Sequence, residues 1–346
     1  MLPRLLQALI LLGAAVLLLV LTWPQAFGLQ NSWVVAHLVS FRAIAVIGAC
    51  IGLVLLGLLR FIRPLRRTLG IAMVLLVLFA VANVGILASR GATASALAGE
   101  ASSETDAGAV TVLSWNTLGD APGAAVIAEL AVAQNADVVT LPETTEATGI
   151  LIAEAMRDAG RPMWVHTLAF DLVSKARSTT LLISPDLGDY TVSNAAGSGP
   201  PGNTNVLPTV VAEPVNGTGP TIVAVHAVAP IQYEMSNWRS DLDWLASQCR
   251  GENVIMAGDF NATLDHMAGR AVGANAALGN CADSALSAGA AAVGTWPTSI
   301  PALLGSPIDH VLATANWSVT ALQVIELLDG AGSDHRPIVA TLTPAT

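Results

Sequence analysis

Polar side chains suited to the hydrolysis of phosphate esters recur in the second half of this sequence, each beside a short apolar run. They are carboxylates, amides and imidazoles, which together offer oxygen ligands for a divalent cation and donors for a charged phosphoryl group. One such residue beside a strand would indicate only a turn or a helix cap. Their recurrence at six strand ends favours one shared site, whose candidates are Asn116, Glu143, His226, Asp259, Asn261, Asp309, Asp334 and His335.

An alternation of strands and helices has to hold these side chains at a common rim. Apolar runs predict strands, and the helical spacing of Trp238, Leu242 and Leu245 predicts a helix. The predicted strands are Val110–Ser114, Asp137–Leu141, Thr179–Ser184, Thr209–Glu213, Thr221–His226, Val254–Ala257, Ile308–Ala313, Thr320–Ile325 and Ile338–Leu342, and the predicted helices are Ala124–Gln134, Ile150–Ala159 and Ser236–Arg250. The stretch from Pro185 to Pro208 is rich in Gly, Pro and Asn and predicts a surface loop.

Charge is distributed unevenly along the 346 residues. Residues 1–90 hold seven of the 15 basic residues and no Asp or Glu, so the remainder has eight basic residues against all 25 acidic ones, a formal charge of −17. Non-specific binding to nucleic acid depends on Lys and Arg that neutralise phosphates. The acidic second half is therefore a poor match for nucleic acid, and the two halves are expected to face different surroundings.

Three apolar stretches in residues 1–90 are long enough to cross a membrane: Leu5–Leu21, Ala43–Leu59 and Leu69–Leu87. A helix needs about 20 mostly apolar residues to span the hydrocarbon core, and about 17 at the least. The absence of polar periodicity argues against buried helices of a soluble domain. The first stretch could alternatively be a cleaved signal peptide, although no small-residue cleavage pattern follows it. We therefore predict a three-helix transmembrane anchor over residues 1–90.

The basic residues predict how this anchor is oriented. The loop 60–67 has four Arg and no acid, which favours the cytoplasm, whereas the connection 22–40 has no Lys or Arg. The third helix then leads outward, and everything after Leu87 is predicted to be extracytoplasmic. Arg42 is expected just before the second helix, because an Arg inside lipid is costly. The segment Asn31–Phe41 would then lie along the outer membrane surface.

Residues 91–109 are rich in Ala, Ser, Gly and Thr without apolar periodicity, which predicts a flexible linker. Residues 110–346 form the predicted catalytic domain. Within that domain, Cys249 and Cys281 flank the segment that carries Asp259. Outside the cytoplasm they could form a disulfide, and the alternative is a pair of buried thiols. Sequence spacing does not decide between these, because a disulfide depends on the distance between the Cα atoms.

Six short motifs follow one another along the chain between Val110 and Leu342. They are Ser114-Trp115-Asn116, Leu141-Pro142-Glu143, His226-Ala227-Val228-Ala229-Pro230, Gly258-Asp259-Phe260-Asn261-Ala262-Thr263, Ile308-Asp309-His310-Val311 and Gly332-Ser333-Asp334-His335-Arg336-Pro337. Together they resemble the endonuclease/exonuclease/phosphatase superfamily, which includes abasic-site endonucleases, DNase I-like nucleases, neutral sphingomyelinases and inositol polyphosphate phosphatases. The resemblance implies an α/β fold, a four-layer α/β/β/α sandwich of two mostly antiparallel sheets with helices outside.

The resemblance also implies a metal site and a nucleophile. Glu143 would be the main ligand of a Mg²⁺ or Mn²⁺ ion, while Asn116 would orient the metal site and Asp334 would add to it. Mg²⁺ prefers oxygen ligands and keeps several waters, so one or two protein carboxylates suffice. Asp259 would position or deprotonate the attacking water, and Asn261 would orient the nucleophile or the phosphate.

The imidazoles are implied to act on the phosphoryl group. His226 and His335 would contact its oxygens and stabilise the charge of the transition state. Asp309 would hold His335 by a hydrogen bond, which fixes the tautomer of His335 and raises its pKa.

The strand Thr179–Ser184 departs from the family, because many members carry a Gly at its start and this chain has none there. The preceding Lys175 and Arg177 could contact a phosphate or form a solvated strand edge.

Three functions are compatible with the sequence. The first is a phosphatase or phosphodiesterase acting on a membrane lipid, such as polyprenyl pyrophosphate or a phospholipid, because the anchor keeps the site beside the bilayer and raises the effective concentration of such a substrate. Some three-helix bacterial members of the superfamily are associated with cell-envelope lipid carriers, and this chain is similar in layout. The second is a surface nuclease, which would need a basic groove. The third is a binding module without activity, against which the intact motifs argue. We expect the first.

Overall fold

The computed structural model describes residues 2–93, 95–97, 108–170, 173–193 and 206–345. The N-terminal region contains the helices α1 (Leu2–Thr22), α2 (Trp33–Ser40), α3 (Arg42–Leu59) and α4 (Arg66–Arg90). Three of them, α1, α3 and α4 together with the turn that leads into it, are long and apolar enough to cross a membrane. No more than 17% of any of these spans is buried inside the protein, which leaves their apolar side chains free for lipid. The predicted number of candidate spans is confirmed.

Helix α3 begins at Arg42, whereas the sequence predicted a start after this residue. The guanidinium does not face lipid, because Arg42 is only 4% exposed and packs against the C-terminal domain. Its Nε and its terminal nitrogen donate to the two carboxylate oxygens of Asp265 at 2.8 and 2.7 Å. A bidentate pair of this kind offsets much of the cost of burying the charge, so the helix can include the residue.

The predicted linker is partly described. Residues 95–97 form strand β1 (Ser95–Leu97), which pairs with a strand near the C-terminus. Residues 94 and 98–107 lie outside the described residues, so the flexibility of the linker stays a prediction.

Residues 108–345 hold the remaining helices and strands. The helices are α5 (Ala124–Ala133), α6 (Glu146–Asp158), α7 (Met235–Gln248), α8 (Leu264–Met267) and α9 (Ser284–Ser287). The strands are β2 (Val110–Ser114), β3 (Val138–Pro142), β4 (Trp164–Ala169), β5 (Ser178–Ile183), β6 (Tyr190–Val192), β7 (Val210–Pro214), β8 (Thr221–His226), β9 (Val254–Asp259), β10 (Ala282–Asp283), β11 (Asp309–Ala313), β12 (Trp317–Val324) and β13 (Ile338–Pro344).

Two sheets and two helical layers make up this domain. One sheet has the order β1-β12-β13-β2-β3-β5-β4, and the other has the order β10-β11-β9-β8-β7-β6. Val112 and Ile255 belong to an apolar cluster between the sheets. Ile127 of α5 packs on the outer face of the first sheet together with α6, and Trp238 of α7 packs on the outer face of the second. The four-layer α/β/β/α sandwich is confirmed.

One parallel strand pair in each sheet explains why the candidate residues meet. β2 and β3 are parallel, as are β8 and β9, and the other described pairs are antiparallel. The carboxyl ends of these four strands share one rim, and β2 and β3 contact β9 across it. Strands β11 and β13 run antiparallel to β9 and β2, so their first residues lie at the same rim.

None of the four edge strands of the two described sheets, β1, β4, β6 and β10, was predicted. Among the described strands, β4 pairs only with β5. Leu168 is its one buried residue, so it lacks the apolar run typical of a central strand. The predicted surface loop Pro185–Pro208 is wrong in part, because β6 lies within it and buries Tyr190. Residues 194–205 of that loop lie outside the described residues.

Cys249 and Cys281 form a disulfide, which decides between the two alternatives that the sequence left open. Their Cα atoms are 5.8 Å apart, and both side chains are fully buried beside α7. The bond links the end of α7 to the segment that leads into β10.

Candidate active site

The candidate residues come to one rim through the ends of six strands. Asn116 and Glu143 follow the parallel strands β2 and β3, while His226 and Asp259 are the last residues of the parallel strands β8 and β9 and lie side by side. Asp309 is the first residue of β11 and pairs with Asp259. Asp334 and His335 precede β13, whose first residue pairs with the last residue of β2.

Asn116 joins the two sheets at this rim. Its Nδ2 donates to Asp259 Oδ2 at 3.0 Å and lies 3.3 Å from Glu143 Oε1. Glu143 adopts a φ of 60°, which is uncommon for a residue other than Gly and turns its side chain toward the opposite sheet. Burial raises the pKa of Glu143, against the lowering effect of the hydrogen bond from Asn116.

Asp259 is fixed by donors on both of its oxygens. The backbone N–H of Asn261 donates to Oδ1 at 2.7 Å, and the Asn261 side chain lies 3.2 Å from Oδ2 and donates to the Ala227 carbonyl at 2.9 Å. Asn261 reaches both partners because it adopts a left-handed φ of 47°. Burial, assisted by the nearby Asp309, raises the pKa of Asp259 to about 7 despite the opposing effect of His335.

His335 and Asp309 form a buried imidazole–carboxylate pair. His335 Nδ1 lies 2.9 Å from Asp309 Oδ2, and Nε2 lies 3.9 Å from Asp259 Oδ2. Burial alone would lower the pKa of His335, but the carboxylates of Asp309 and Asp259 outweigh it and raise this pKa to about 10. His335 is therefore a cation with its Nε2 directed at the rim.

His226 has the opposite character. It is buried, and its nearest carboxylate is Glu143, whose Oε1 lies 3.9 Å from Nε2. Burial and the charge of His335 lower the pKa of His226 to about 3, so it is neutral. Its Nδ1 has no hydrogen-bond partner among the described residues.

Asp334 is held by a residue that the sequence analysis missed. Trp296 Nε1 donates to Asp334 Oδ2 at 2.9 Å, and Asp334 Oδ1 lies 3.9 Å from His335 Nε2. Trp296 lies in an irregular segment between α9 and β11, outside all six motifs. Its only distinguishing signal in the sequence is a large aromatic residue in a segment of small ones.

A cavity of about 340 Å³ collects these side chains. Seven of the eight predicted residues line it: Asn116, Glu143, His226, Asp259, Asn261, Asp334 and His335. Asp309 lies behind them, against His335. The roles that the resemblance assigns to these residues stay predictions, but the structure places the residues themselves together.

Three further lining residues come from the N-terminal helices, and no motif pointed to them. They are His37, Ser40 and Phe41, at the end of α2 and just after it. The ring of Phe41 packs against that of Trp296, with centroids 5.9 Å apart.

Lys175 and Arg177 do not line this cavity. Lys175 Nζ lies 3.2 Å from Asp120 Oδ2, and the Arg177 guanidinium lies over the ring of Phe170. Lys175 and Arg177 therefore belong to a partly solvated turn that leads into β5, an inner strand of its sheet, and of the two alternatives the solvated segment is the better description.

The donors at the rim fit a divalent cation. Asp259, Asp309 and His335 have potential ligand atoms within 4.8 Å of one another. The His335 Nδ1 and Asp309 Oδ2 atoms are already engaged with each other, which leaves mainly oxygen atoms for an ion. Two buried carboxylate oxygens, Asp309 Oδ1 and Asp334 Oδ1, lack a hydrogen-bond partner in the described part of the chain. Hard oxygen donors that lack partners suit a hard divalent ion.

Three solved structures are similar to this chain. The crystal structure of an endonuclease/exonuclease/phosphatase from Bacteroides vulgatus is 14% identical in sequence and superposes with a TM-score of 0.50. The alignment covers 68% of this chain and 99% of the Bacteroides vulgatus chain. An endonuclease/exonuclease/phosphatase from Beutenbergia cavernae DSM 12333 is 19% identical, with a TM-score of 0.48, and the alignment covers 68% of this chain and 72% of that one. The AP endonuclease LMAP from Leishmania major is 14% identical, with coverages of 75% and 95% and a TM-score of 0.47.

Sequence comparison identifies the family. No curated protein sequence matches this chain. The sequence model of the Endonuclease/Exonuclease/phosphatase family matches residues 113–335, a span that contains all eight predicted site residues. That span covers more than half of the chain, and the fold and the rim agree with it. The chain therefore belongs to the endonuclease/exonuclease/phosphatase family.

Proposed function

We propose that this protein is a metal-dependent phosphoesterase that hydrolyses a phosphate ester or pyrophosphate of a membrane lipid at the extracytoplasmic face. As a member of its family, it is a hydrolase of phosphoester bonds. The observation that carries the finer proposal is the composition of the cavity, which is lined by catalytic-domain residues on one side and by His37, Ser40 and Phe41 of the anchor on the other.

The metal is proposed to be Mg²⁺ or Mn²⁺. Glu143 would be its main ligand, with Asn116 and Asp334 beside it. An ion bound there supplies positive charge to the non-bridging phosphoryl oxygens. The unpartnered Asp334 Oδ1 and the half-buried Glu143 carboxylate, which accepts from the neutral Asn116 amide, support this assignment, because removing a carboxylate from water is costly unless a cation neutralises it.

Asp259 and Asn261 are proposed to act on the attacking water. A general base works best when its pKa lies near the operating pH, and the pKa of Asp259 is about 7. The Asn261 N–H and the Asn116 amide hold its two oxygens, so the carboxylate cannot rotate away from the water. The proton leaves the water for Asp259 as the oxygen approaches phosphorus.

The two histidines are proposed to bind the phosphoryl group in different ways. His335 is a cation and opposes the charge that builds on the oxygens in the transition state. His226 is neutral, so it donates a hydrogen bond without adding charge. Asp309 accepts a hydrogen bond from His335 Nδ1 and so holds the ring in place and stabilises its positive charge.

Three observations support an extracytoplasmic domain. The middle of α2, the start of α3 and the end of α4 lie against this domain, whereas the loop 60–67, with its four exposed Arg, lies at the other end of the candidate spans. A loop rich in Arg favours the cytoplasm. The disulfide between Cys249 and Cys281 is typical of an oxidising compartment. In a Cys50→Ala background, a membrane-impermeant maleimide should label Leu327→Cys in intact cells and spare Phe61→Cys, and the reverse pattern would invert the topology.

A lipid substrate is favoured over nucleic acid by the charge of the cavity. No Lys or Arg is among the described residues that line it. Binding to nucleic acid relies on such residues, whereas a single phosphate can be neutralised by one cation and one protonated imidazole.

The test uses the full-length protein in detergent micelles with Mg²⁺ or Mn²⁺. It would be offered polyprenyl pyrophosphate, a phospholipid and plasmid DNA, with Glu143→Ala and EDTA as controls. We expect release of phosphate or of the headgroup from a lipid, abolished by either control. Cleavage of DNA without turnover of lipid would instead identify a surface nuclease. Turnover of nothing would indicate a binding module.

A further inference from the structure

The anchor forms part of the wall of the catalytic cavity. Helix α2 and the next residue bring His37, Ser40 and Phe41 into the same 340 Å³ cavity as Glu143 and Asp259. A membrane anchor that served only as a tether would have no reason to enter the site. The anchor is therefore placed where it can contact a substrate.

Direct contacts hold this wall in position. Ala36 and Val39 are at most 2% exposed where α2 packs on the domain. His266 Nε2 donates to the Ala36 carbonyl at 3.1 Å, and Arg42, just after Phe41, forms the bidentate pair with Asp265. Asp265 and His266 belong to α8, which follows the Asp259–Asn261 turn closely in the chain. The α2 residues of the cavity wall and the Asp259 carboxylate are therefore held by the same short segment, residues 259–266.

The lip of the cavity is apolar next to the catalytic rim. Phe41 packs on Trp296, whose Nε1 donates to Asp334. The aromatic pair is therefore in direct contact with a residue of the proposed metal site. Leu118 and Ile231 also line the cavity and are at least 37% exposed. A free phosphate or sugar phosphate would leave these side chains in water, whereas a hydrocarbon chain attached to the phosphate would cover them.

The start of the membrane span lies at this lip. Phe41 directly precedes α3, whose first residue is Arg42 and whose following residues are apolar. On α2, Trp33 and Val34 are exposed on the helix surface. A short helix with exposed aromatic and apolar residues beside a span is typical of the membrane interface. A chain leaving the cavity past Phe41 would therefore pass directly into the bilayer.

We propose that Phe41 and Trp296 form the subsite for the first segment of the hydrocarbon chain of a lipid phosphate, so that the anchor itself determines substrate specificity. This rests on the proposed function. The phosphate lies at the rim between Glu143 and His335, and the carbons next to it pack against the aromatic pair. Phe41 is a specificity-determining residue and takes no part in the chemistry.

The test compares two substrates with the same reacting group and different chains: a C15 prenyl diphosphate and a C5 prenyl diphosphate. Full-length protein in detergent micelles with Mg²⁺ is assayed as wild type and as Phe41→Ala, Phe41→Leu and Val34→Ala. Val34 is the matched control, because it is an exposed apolar residue of α2, the helix that leads to Phe41, and does not line the cavity.

We expect Phe41→Ala to lower kcat/KM for the C15 substrate by about tenfold, mainly through KM, and to change the C5 value by less than about twofold. Phe41→Leu should keep most of the preference for the C15 substrate over the C5 substrate, and Val34→Ala should keep all of it. Equal losses on both substrates, or no loss on either, would overturn the subsite. If the wild type turns over no lipid phosphate at all, the proposed function fails first, and the subsite fails with it.

Discussion

At the scale of single residues, the site holds two imidazoles in opposite charge states within one cavity. His335 lies among the carboxylates of Asp309, Asp259 and Asp334 and is protonated, whereas buried His226 is neutral. The difference follows from the number of carboxylates around each ring, since both rings are buried. The proposed phosphoryl transfer would benefit from both rings. The cationic ring would offset the negative charge of the transition state, and the neutral ring would donate a hydrogen bond without repelling the proposed metal ion.

The Asp309–His335 pair should matter for catalysis more than for binding. Asp309→Asn removes the charge that holds the proton on His335, so we expect kcat to fall by about 10- to 100-fold with KM little changed. Asp283→Asn is the matched control, because Asp283 pairs with His310 at 2.7 Å in the same buried way but outside the cavity. Steady-state kinetics and thermal unfolding of both variants would check this. Equal losses of activity would assign Asp309 a purely structural role.

At the scale of elements, the site depends on how closely β8 and β9 approach each other. Gly258 precedes Asp259 and has a φ of +149°, and a Cβ there would lie 2.0 Å from the Val225 carbonyl oxygen of β8. The chain uses Gly at this position because no side chain fits between the strands. This close approach puts His226 and Asp259 side by side at the rim.

Gly258→Ala should therefore damage both stability and activity. We expect it to destabilise the domain by about 2–4 kcal/mol, from the forced shift of the strand added to the unfavourable φ, and to lower kcat as Asp259 moves. Gly160→Ala isolates the effect of φ, because Gly160 has a φ of +82° but nothing within 4 Å of an added Cβ. It should cost only about 1 kcal/mol with normal kcat. Denaturant unfolding of the two variants gives the comparison, and similar costs would contradict the steric explanation.

Much of the rim was predictable because its residues sit at the ends of strongly apolar strands. Strand β8 begins and ends as predicted, and β9 extends the prediction only by Gly258 and Asp259. Trp296 and Phe41 were not predictable in the same way. Both lie outside periodic elements. Trp296 reaches the cavity through the packing of the segment between β10 and β11, and Phe41 reaches it because α2 packs on the domain. Short-range pattern carries no information about such contacts.

At the scale of the whole molecule, one buried acid of the C-terminal domain binds several segments of the N-terminal region, the predicted anchor. Asp265 accepts hydrogen bonds from Arg42, from Gln25 at 2.8 Å and from Arg90, whose terminal nitrogen lies 2.9 Å away. Burial alone would raise the pKa of Asp265, but these arginines lower it well below its ordinary value. Contacts from three separate segments of the N-terminal region therefore fix this region against the C-terminal domain.

Asp265→Asn should release the anchor from the cavity. The change leaves two guanidiniums without a counter-charge in a buried site, and breaking a buried pair in this way costs about 3–5 kcal/mol. We expect faster hydrogen exchange in α2 and a loss of activity on a long-chain lipid phosphate that exceeds the loss on a short, soluble one. Asp243→Asn is the control, because its 2.7 Å pair with Arg270 is on the surface, with the Asp243 side chain 67% exposed. Exposed pairs contribute about 0–1 kcal/mol, so that variant should leave α2 protected. Unchanged exchange in α2 of Asp265→Asn would mean that the packing of Ala36 and Val39 and the hydrogen bond from His266 hold α2 in the cavity without the buried ion pairs.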